Sequence, residues 1–324
     1  MLDIRKITNG YWWDAQGKYE TLIKGEITLK ELTVQVTDRC NMNCPKCNKV
    51  NFTFEDMDTS DILRIIEEAC ALGLKHVHFT GGEPTMHPDF IGIVQYCRDH
   101  GLRIDMSTNG KFDDAYTEKL VKAGIDSINV SWDFIDKIPE CFTGTFPSEV
   151  RWFINHMVMP SNYKELPSFL EHIKQFYPYI VDIQLMPPRG TADKFTEEQI
   201  LDYYTKTVVQ DSYYISKNRF PMVEEKVFGI LLDKKATEGI YHTPITWPCH
   251  RSKVELRVGP KGFATCTYLY RDGHITCDLT HSVKEAWELC QSECKGAPPI
   301  PSMCDYSCSP EVANFNFFVE TRTD

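Results

Sequence analysis

Cys40-Asn41-Met42-Asn43-Cys44-Pro45-Lys46-Cys47 sets three cysteines at C-x3-C-x2-C directly after an alternating, β-branched run, Leu32 to Thr37 (LTVQVT). Such alternation predicts a strand, so the cysteines fall on the loop that leaves its carboxyl end. Three thiolates on one tight loop suit three corners of an iron–sulfur cube and leave the fourth iron without a protein ligand. Zinc also takes thiolates in C-x2-C pairs, but a closed structural site needs a fourth ligand and usually a second pair. Asn41, Asn43 and Asn48 do not supply one. Buried structural cysteines have no reason to cluster on a polar loop.

Outward from this loop the chain alternates. Asp58-Thr59-Ser60 offers helix caps before Ile62, Ile65, Ile66, Ala69 and Leu72, an apolar stripe at helical spacing that stops at Gly73. His76 to Thr80 predicts the next strand, Asp89 to His100 a helix, Leu102 to Ser107 a strand, and Asp113 to Ala123 a helix closed by Gly124. Ile125 to Val130 is a fourth strand, Trp152 to Met159 a fifth, Asn162 to Phe176 a helix and Ile180 to Met186 a sixth strand. Strands separated by helices of this length imply an α/β fold with a parallel sheet and right-handed crossovers. Thr196 to Lys217 reads as a further helix. Past His242 the composition turns to cysteine, glycine and proline, which sets the expected divisions at 1–31 (an extension), 32–241 and 242–324.

The composition, 25% charged and 42% hydrophobic over 324 residues, is that of an ordinary globular protein. Its 46 acids against 35 bases give a net charge of −11, which argues against nucleic acid as the main partner. No stretch approaches the roughly 18 apolar residues of a membrane helix, and Met1 to Asn9 lacks the layout of a signal peptide. A cytoplasmic location is expected. In that reducing setting thirteen cysteines argue for metal binding or catalysis over disulfides. Three sit in the opening loop and seven between Cys249 and Cys308, so two metal regions are expected.

In parallel α/β folds ligands sit at the carboxyl ends of the strands. After the second strand comes Gly81-Gly82-Glu83-Pro84, where two glycines permit close backbone approach and Glu83 can accept hydrogen bonds from an ammonium group. Ser107-Thr108-Asn109-Gly110 follows the third strand, and Ser131-Trp132-Asp133 ends the fourth. Asp133 is a substrate contact, a proton acceptor or a helix cap. Gln184, Met186 and Arg189-Gly190 end the sixth.

C-x3-C-x2-C after a first strand, with Gly81-Gly82-Glu83 one strand later, resembles the radical S-adenosylmethionine (SAM) superfamily. The resemblance implies a partial (β/α)6 TIM-like barrel and a [4Fe–4S] cluster on Cys40, Cys44 and Cys47 whose free iron chelates SAM. It also implies SAM contacts from Gly81, Gly82, Glu83 and Pro84, from Ser107 and Asn109, and from Gln184. Reductive cleavage of SAM would give a 5′-deoxyadenosyl radical that takes a hydrogen from the substrate, with an electron donor of the flavodoxin or ferredoxin type. Lys46 stands where the family usually has an aromatic residue, and the family's fifth-strand glycine pattern has no clean match.

The second cysteine field resembles the SPASM or twitch extension of the same superfamily. Cys249 precedes an alternating strand, Lys253 to Val258, a turn at Gly259-Pro260-Lys261-Gly262, and Phe263 to Tyr270 with Cys266. Ser282 to Cys290 is a short helix. Beyond the hairpin SPASM domains have C-x2-C-x5-C-x3-C, whereas Cys290, Cys294, Cys304 and Cys308 run C-x3-C-x9-C-x3-C. The expectation is therefore one auxiliary [4Fe–4S] cluster on Cys249, Cys266, Cys304 and Cys308, with zinc as the rival metal. Cys277, Cys290 and Cys294 remain as structural residues, extra ligands or a thiol that returns hydrogen to a substrate radical. Cys277 in the last role would make the enzyme an epimerase. The expected reaction is oxidation or epimerisation of a sugar- or aminocyclitol-like small molecule or of a peptide. The lack of a long N-terminal peptide-recognition module inclines the expectation to the small molecule. The competing reading is a non-catalytic iron–sulfur or zinc redox sensor that keeps the fold.

Overall fold

Strand β1 (Glu31–Thr37) lies between two parallel neighbours, β2 (His76–Gly81) and β7 (Glu255–Gly259). The computed structural model describes residues 28–44, 47, 53–144, 146–186, 196, 198–199, 253–266, 270 and 273–293. These fall into two compact units: Met1–Cys40, Lys49–Met106 and His242–Asp324 in the first, Asn41–Asn48 and Ser107–Tyr241 in the second.

In the first unit, β3 (Arg103–Thr108) pairs in parallel with β2, and β8 (Gly262–Ala264) returns antiparallel to β7. Helix α1 (Thr59–Ala71) follows β1 and buries Ile62, Ile65, Ile66 and Ala69, the stripe read from the sequence. Helix α2 (Phe90–Asp99) follows β2 and buries Phe90, Ile93, Val94 and Cys97. Alternation sorts the strand residues. Leu32, Val34, Val77, Phe79, Ile104, Leu256 and Val258 are buried apolar positions, and Phe79 meets Phe90 of α2 edge-on at 5.3 Å. The opposite face is polar yet buried: Glu31, Gln35, His76, His78, Asp105, Glu255 and Arg257 are each at most 9% exposed. Buried polar groups must find partners. Glu31 and Asp105 both bond His76, and Asp105 also bonds His78.

In the second unit, β4 (Ser127–Ser131), β5 (Arg151–Met157) and β6 (Ile180–Met186) pair in parallel. Helix α3 (Asp114–Ala123) is capped by the Asp113 carboxylate, which accepts from Tyr116 N at 2.9 Å. Helix α4 (Leu166–Phe176) packs Phe169 on Trp132 at 5.5 Å.

The chain thus has the α/β alternation of a partial (β/α)6 barrel. Several boundaries differ from expectation: the second strand of the C-terminal hairpin is Gly262–Ala264 rather than Phe263 to Tyr270, β4 starts at Ser127 rather than Ile125, and two more lie on either side of Asn162. Strand β5 stops at Met157, and α4 starts at Leu166 after a 3-10 turn, Tyr163–Glu165. Asn162 explains both. Its Oδ1 accepts from Met159 N at 2.7 Å while Nδ2 donates to Met157 O and Asp133 O, so the residue brackets a turn instead of capping a helix. The C-terminal hairpin forms with its first strand paired to β1, and His242 onward groups with the first unit. Helix α5 (Val283–Glu293) follows, its first amide donating to Glu68 Oε2 of α1 at 2.7 Å. No described helix is long and apolar enough to cross a membrane.

Candidate active site

In the first unit, the turn after β2 is stitched to the stem of the cysteine loop. Gly82 N donates to Thr37 O and Glu83 N to Arg39 O, both at 2.8 Å. A Cβ on Gly82 would lie 2.2 Å from Arg39 O and 2.6 Å from Asp38 O. The close approach expected of the glycine pair is therefore made to the backbone that leads into Cys40. Glu83 is 1% exposed, its Oε1 accepting from Thr85 N and Thr85 Oγ1 at 3.2 and 2.9 Å. Pro84 opens the one-turn 3-10 helix that follows. Arg39 forks onto Asp56, Nε to Oδ1 at 2.9 Å and Nη2 to Oδ2 at 2.6 Å. Burial pushes the Asp56 carboxyl up, but hydrogen bonds from Arg39 and Thr37 and the Arg39 charge outweigh it and hold the group below its usual value.

In the second unit, Cys47 N donates to Cys44 O at 3.0 Å. Asn109 Nδ2 donates to Asn41 Oδ1 at 2.8 Å and its Oδ1 accepts from Lys111 N at 2.9 Å. Asn109 therefore anchors the cysteine loop to the end of β3, and Ser107 stands half-buried two residues before it. Cys40 and Cys44 are half-buried, Cys47 is exposed, and none of the three is in a disulfide.

This donor set fits an iron–sulfur cube: three soft thiol sulfurs on one short loop. Among the described residues no three His, Cys, Asp or Glu side chains gather as the ligands of a single ion. A cube takes each thiolate on a different iron and needs no such convergence.

Asp133 is half-buried, with Oδ1 accepting from Met157 N at 2.7 Å, so its carboxylate fastens the end of β5. Sequence reasoning passed over Asn155. It is 6% exposed, its Oδ1 has no hydrogen-bond partner, and it lies in register between Ser131 of β4 and Gln184 of β6 near the strands' carboxyl ends. An orphaned buried amide is a position where a ligand group restores a bond. The available signal was an asparagine directly after an apolar run, Trp152 to Ile154.

In the C-terminal region, Cys266 is half-buried just past β8 and Cys277 is bridged to Phe263, whose N–H donates to Cys277 O at 2.8 Å. Burial, then the nearby Asp278, Glu293 and Glu285, push the Cys277 thiol up to about 11. Cys290 is buried in α5. Cys249, Cys294, Cys304 and Cys308, the side chain of Gln184, Arg189-Gly190, and nearly all of the helix expected from Thr196 lie outside the described residues.

Residues 34–173 match the Radical SAM superfamily. A "Probable GTP 3′,8-cyclase" of Pyrococcus abyssi is 34% identical over 108 residues, 33% of this chain and 35% of that protein. The PqqA peptide cyclase of Methylorubrum populi is 35% identical over 109 residues, 32% of this chain and 28% of that protein. The chain thus spans about a third of the length of these curated relatives. Among solved structures, Streptococcus suis SuiB bound to the precursor peptide SuiA superposes with a TM-score of 0.59 at 15% identity, covering 90% of this chain and 75% of that one. The anSMEcpe structure with bound AdoMet gives 0.59 at 13% identity, covering 86% and 84%. At these identities the likeness concerns the fold.

Proposed function

We propose, from the match of residues 34–173 to the Radical SAM superfamily, that this chain is a radical SAM enzyme that oxidises or epimerises its substrate. The observation that carries the reading is the pair of backbone bonds joining Gly82 and Glu83 to the stem of the C-x3-C-x2-C loop. They tie the Gly81-Gly82-Glu83 turn to the backbone that leads into Cys40. A [4Fe–4S] cluster held by Cys40, Cys44 and Cys47 would supply the electron that cleaves SAM and so starts hydrogen abstraction from substrate. The chain's own residues bind and orient. Glu83, with Gly81, Gly82 and Pro84, would take the SAM amino group, and Ser107, Asn109 and Gln184 would be the remaining SAM contacts. Asn155 bonds a ligand hydroxyl or N–H through the oxygen now left unpaired. Asp133 takes up a proton or contacts substrate while fixing β5.

Of the two expected substrate classes, the name of PqqA peptide cyclase supports a peptide and that of GTP 3′,8-cyclase a small molecule. An auxiliary cluster on Cys249, Cys266, Cys304 and Cys308 would accept an electron from the substrate. Cys277 would return hydrogen, and a thiol pushed up to about 11 carries its hydrogen at neutral pH.

The test is anaerobic loading with iron and sulfide, addition of SAM and a low-potential reductant, and quantitation of 5′-deoxyadenosine. Wild type forms it, a Cys40/Cys44/Cys47 triple alanine variant does not, and Asn155→Leu forms it about tenfold more slowly. A fully iron-loaded wild type that releases none with candidate substrates present overturns the reading. Iron near four per chain rather than about eight removes the auxiliary cluster. Cys277→Ala should leave SAM cleavage intact while abolishing any epimer.

A further inference from the structure

A line of buried hydrogen bonds runs from the C-terminal hairpin to the first cysteine. Arg257 of β7 is 1% exposed and donates through Nη2 to Gln35 Oε1 at 2.5 Å, across 222 residues of sequence. Gln35, also 1% exposed, donates through Nε2 to Asp38 Oδ1. The second oxygen of Asp38 accepts from Thr53 N at 2.7 Å and Thr53 Oγ1 at 2.9 Å, and Asp38 N donates to Glu55 O at 2.8 Å. Asp38 stands two residues before Cys40, and Thr53 follows Cys47. One carboxylate therefore grips the chain on both sides of the cysteine stretch.

The hairpin holds Arg257 in place. The Tyr270 ring lies 5.1 Å from the guanidinium carbon, and its hydroxyl accepts from Lys261 N at 3.1 Å. The ring comes so near β7 that a Cβ on Gly259 would be 2.3 Å from the Tyr270 hydroxyl. A fully buried arginine is costly unless its charge and donors are used. Orienting Asp38 is a use that apolar packing could not supply.

We propose that Arg257 is a positioning residue for the cysteine loop: through Gln35 it orients the Asp38 carboxylate, which clamps the two ends of the segment carrying Cys40, Cys44 and Cys47. The C-terminal hairpin is then part of the apparatus that presents the first cluster's ligands, besides whatever Cys266 binds. The meaning of the clamp for catalysis rests on the radical SAM reading, but the clamp itself is tested without metal.

The experiment follows iodoacetamide alkylation of each cysteine by peptide mass spectrometry in the full-length, chelator-treated protein. Cys97 and Cys290 are fully buried and react only when the fold opens, so they report global unfolding. Arg257→Met should raise the Cys40 rate about tenfold, the worth of a lost charge-assisted hydrogen bond, with Cys97 and Cys290 unchanged. Arg257→Lys, which keeps the charge but not the fork, should fall between. Gln35→Met should match Arg257→Met, and the double variant should add nothing further. A Cys40 rate within about twofold of wild type, a parallel rise at all three cysteines, or additive single effects overturns the proposal. Iron loading of the wild type, measured separately, decides the cluster reading, so the two failures cannot be confused.

Discussion

Gly82 shows how much one missing methyl group does. Its backbone sits against the carbonyls of Asp38 and Arg39, where a Cβ at 2.2 Å is far inside contact distance. Gly82→Ala should cost about 2 kcal/mol or more of stability and weaken cluster retention. Urea unfolding and iron content per chain check the two effects. At this scale the sequence was legible where chemistry is concentrated: the cysteine spacing and Gly81-Gly82-Glu83 announce themselves. It was silent on Asn155, because one polar residue in a strand carries no spacing, and its orphaned oxygen exists only once β4 and β6 flank β5. Asp133 was legible as a residue of interest, but its bond to Met157 N depends on where β5 ends.

Asn162 governs the junction between β5 and α4. It is 1% exposed, and its amide makes hydrogen bonds to Met159 N, Met157 O and Asp133 O. Asn162→Ala leaves those buried groups unpaired and should cost roughly 2–3 kcal/mol, read as a lowered urea midpoint with unchanged slope. Asn162→Asp, which retains the acceptor but not the donors, should recover only part. Helices α1 to α4 were readable because an apolar stripe and its terminators are local signals. The start of α4 was misplaced because Asn162 resembles a cap and acts as a bracket. The destination of the C-terminal hairpin could not be read at all. Periodicity predicts that β7 is a strand, but no local pattern names the edge it joins.

Across the molecule, the polar face of the first unit makes stability pH-dependent. Burial pushes Asp105 up, yet the charges of His76 and His78 and the bond from His78 hold it below its usual value. A depressed carboxylate contributes stability that is present above its unfolded value of about 3.9 and lost as pH falls through the folded one. Wild type should therefore lose urea resistance below about pH 4, and Asp105→Asn should show a shallower fall over that window. Equal slopes would remove Asp105 as the source.

The parallel pairing of β1 with β7 also bears on how the chain reaches this state. During synthesis β1 emerges well before β7, and one of its edges stays open until Glu255–Gly259 has left the ribosome. An open edge invites pairing with other chains, and closing it over so long a separation is slow. The hydrogen bond from Arg257 to Gln35 waits on the same pairing, so the proposed clamp around the cysteine stretch is finished only after β7 has been made, more than two hundred residues after β1.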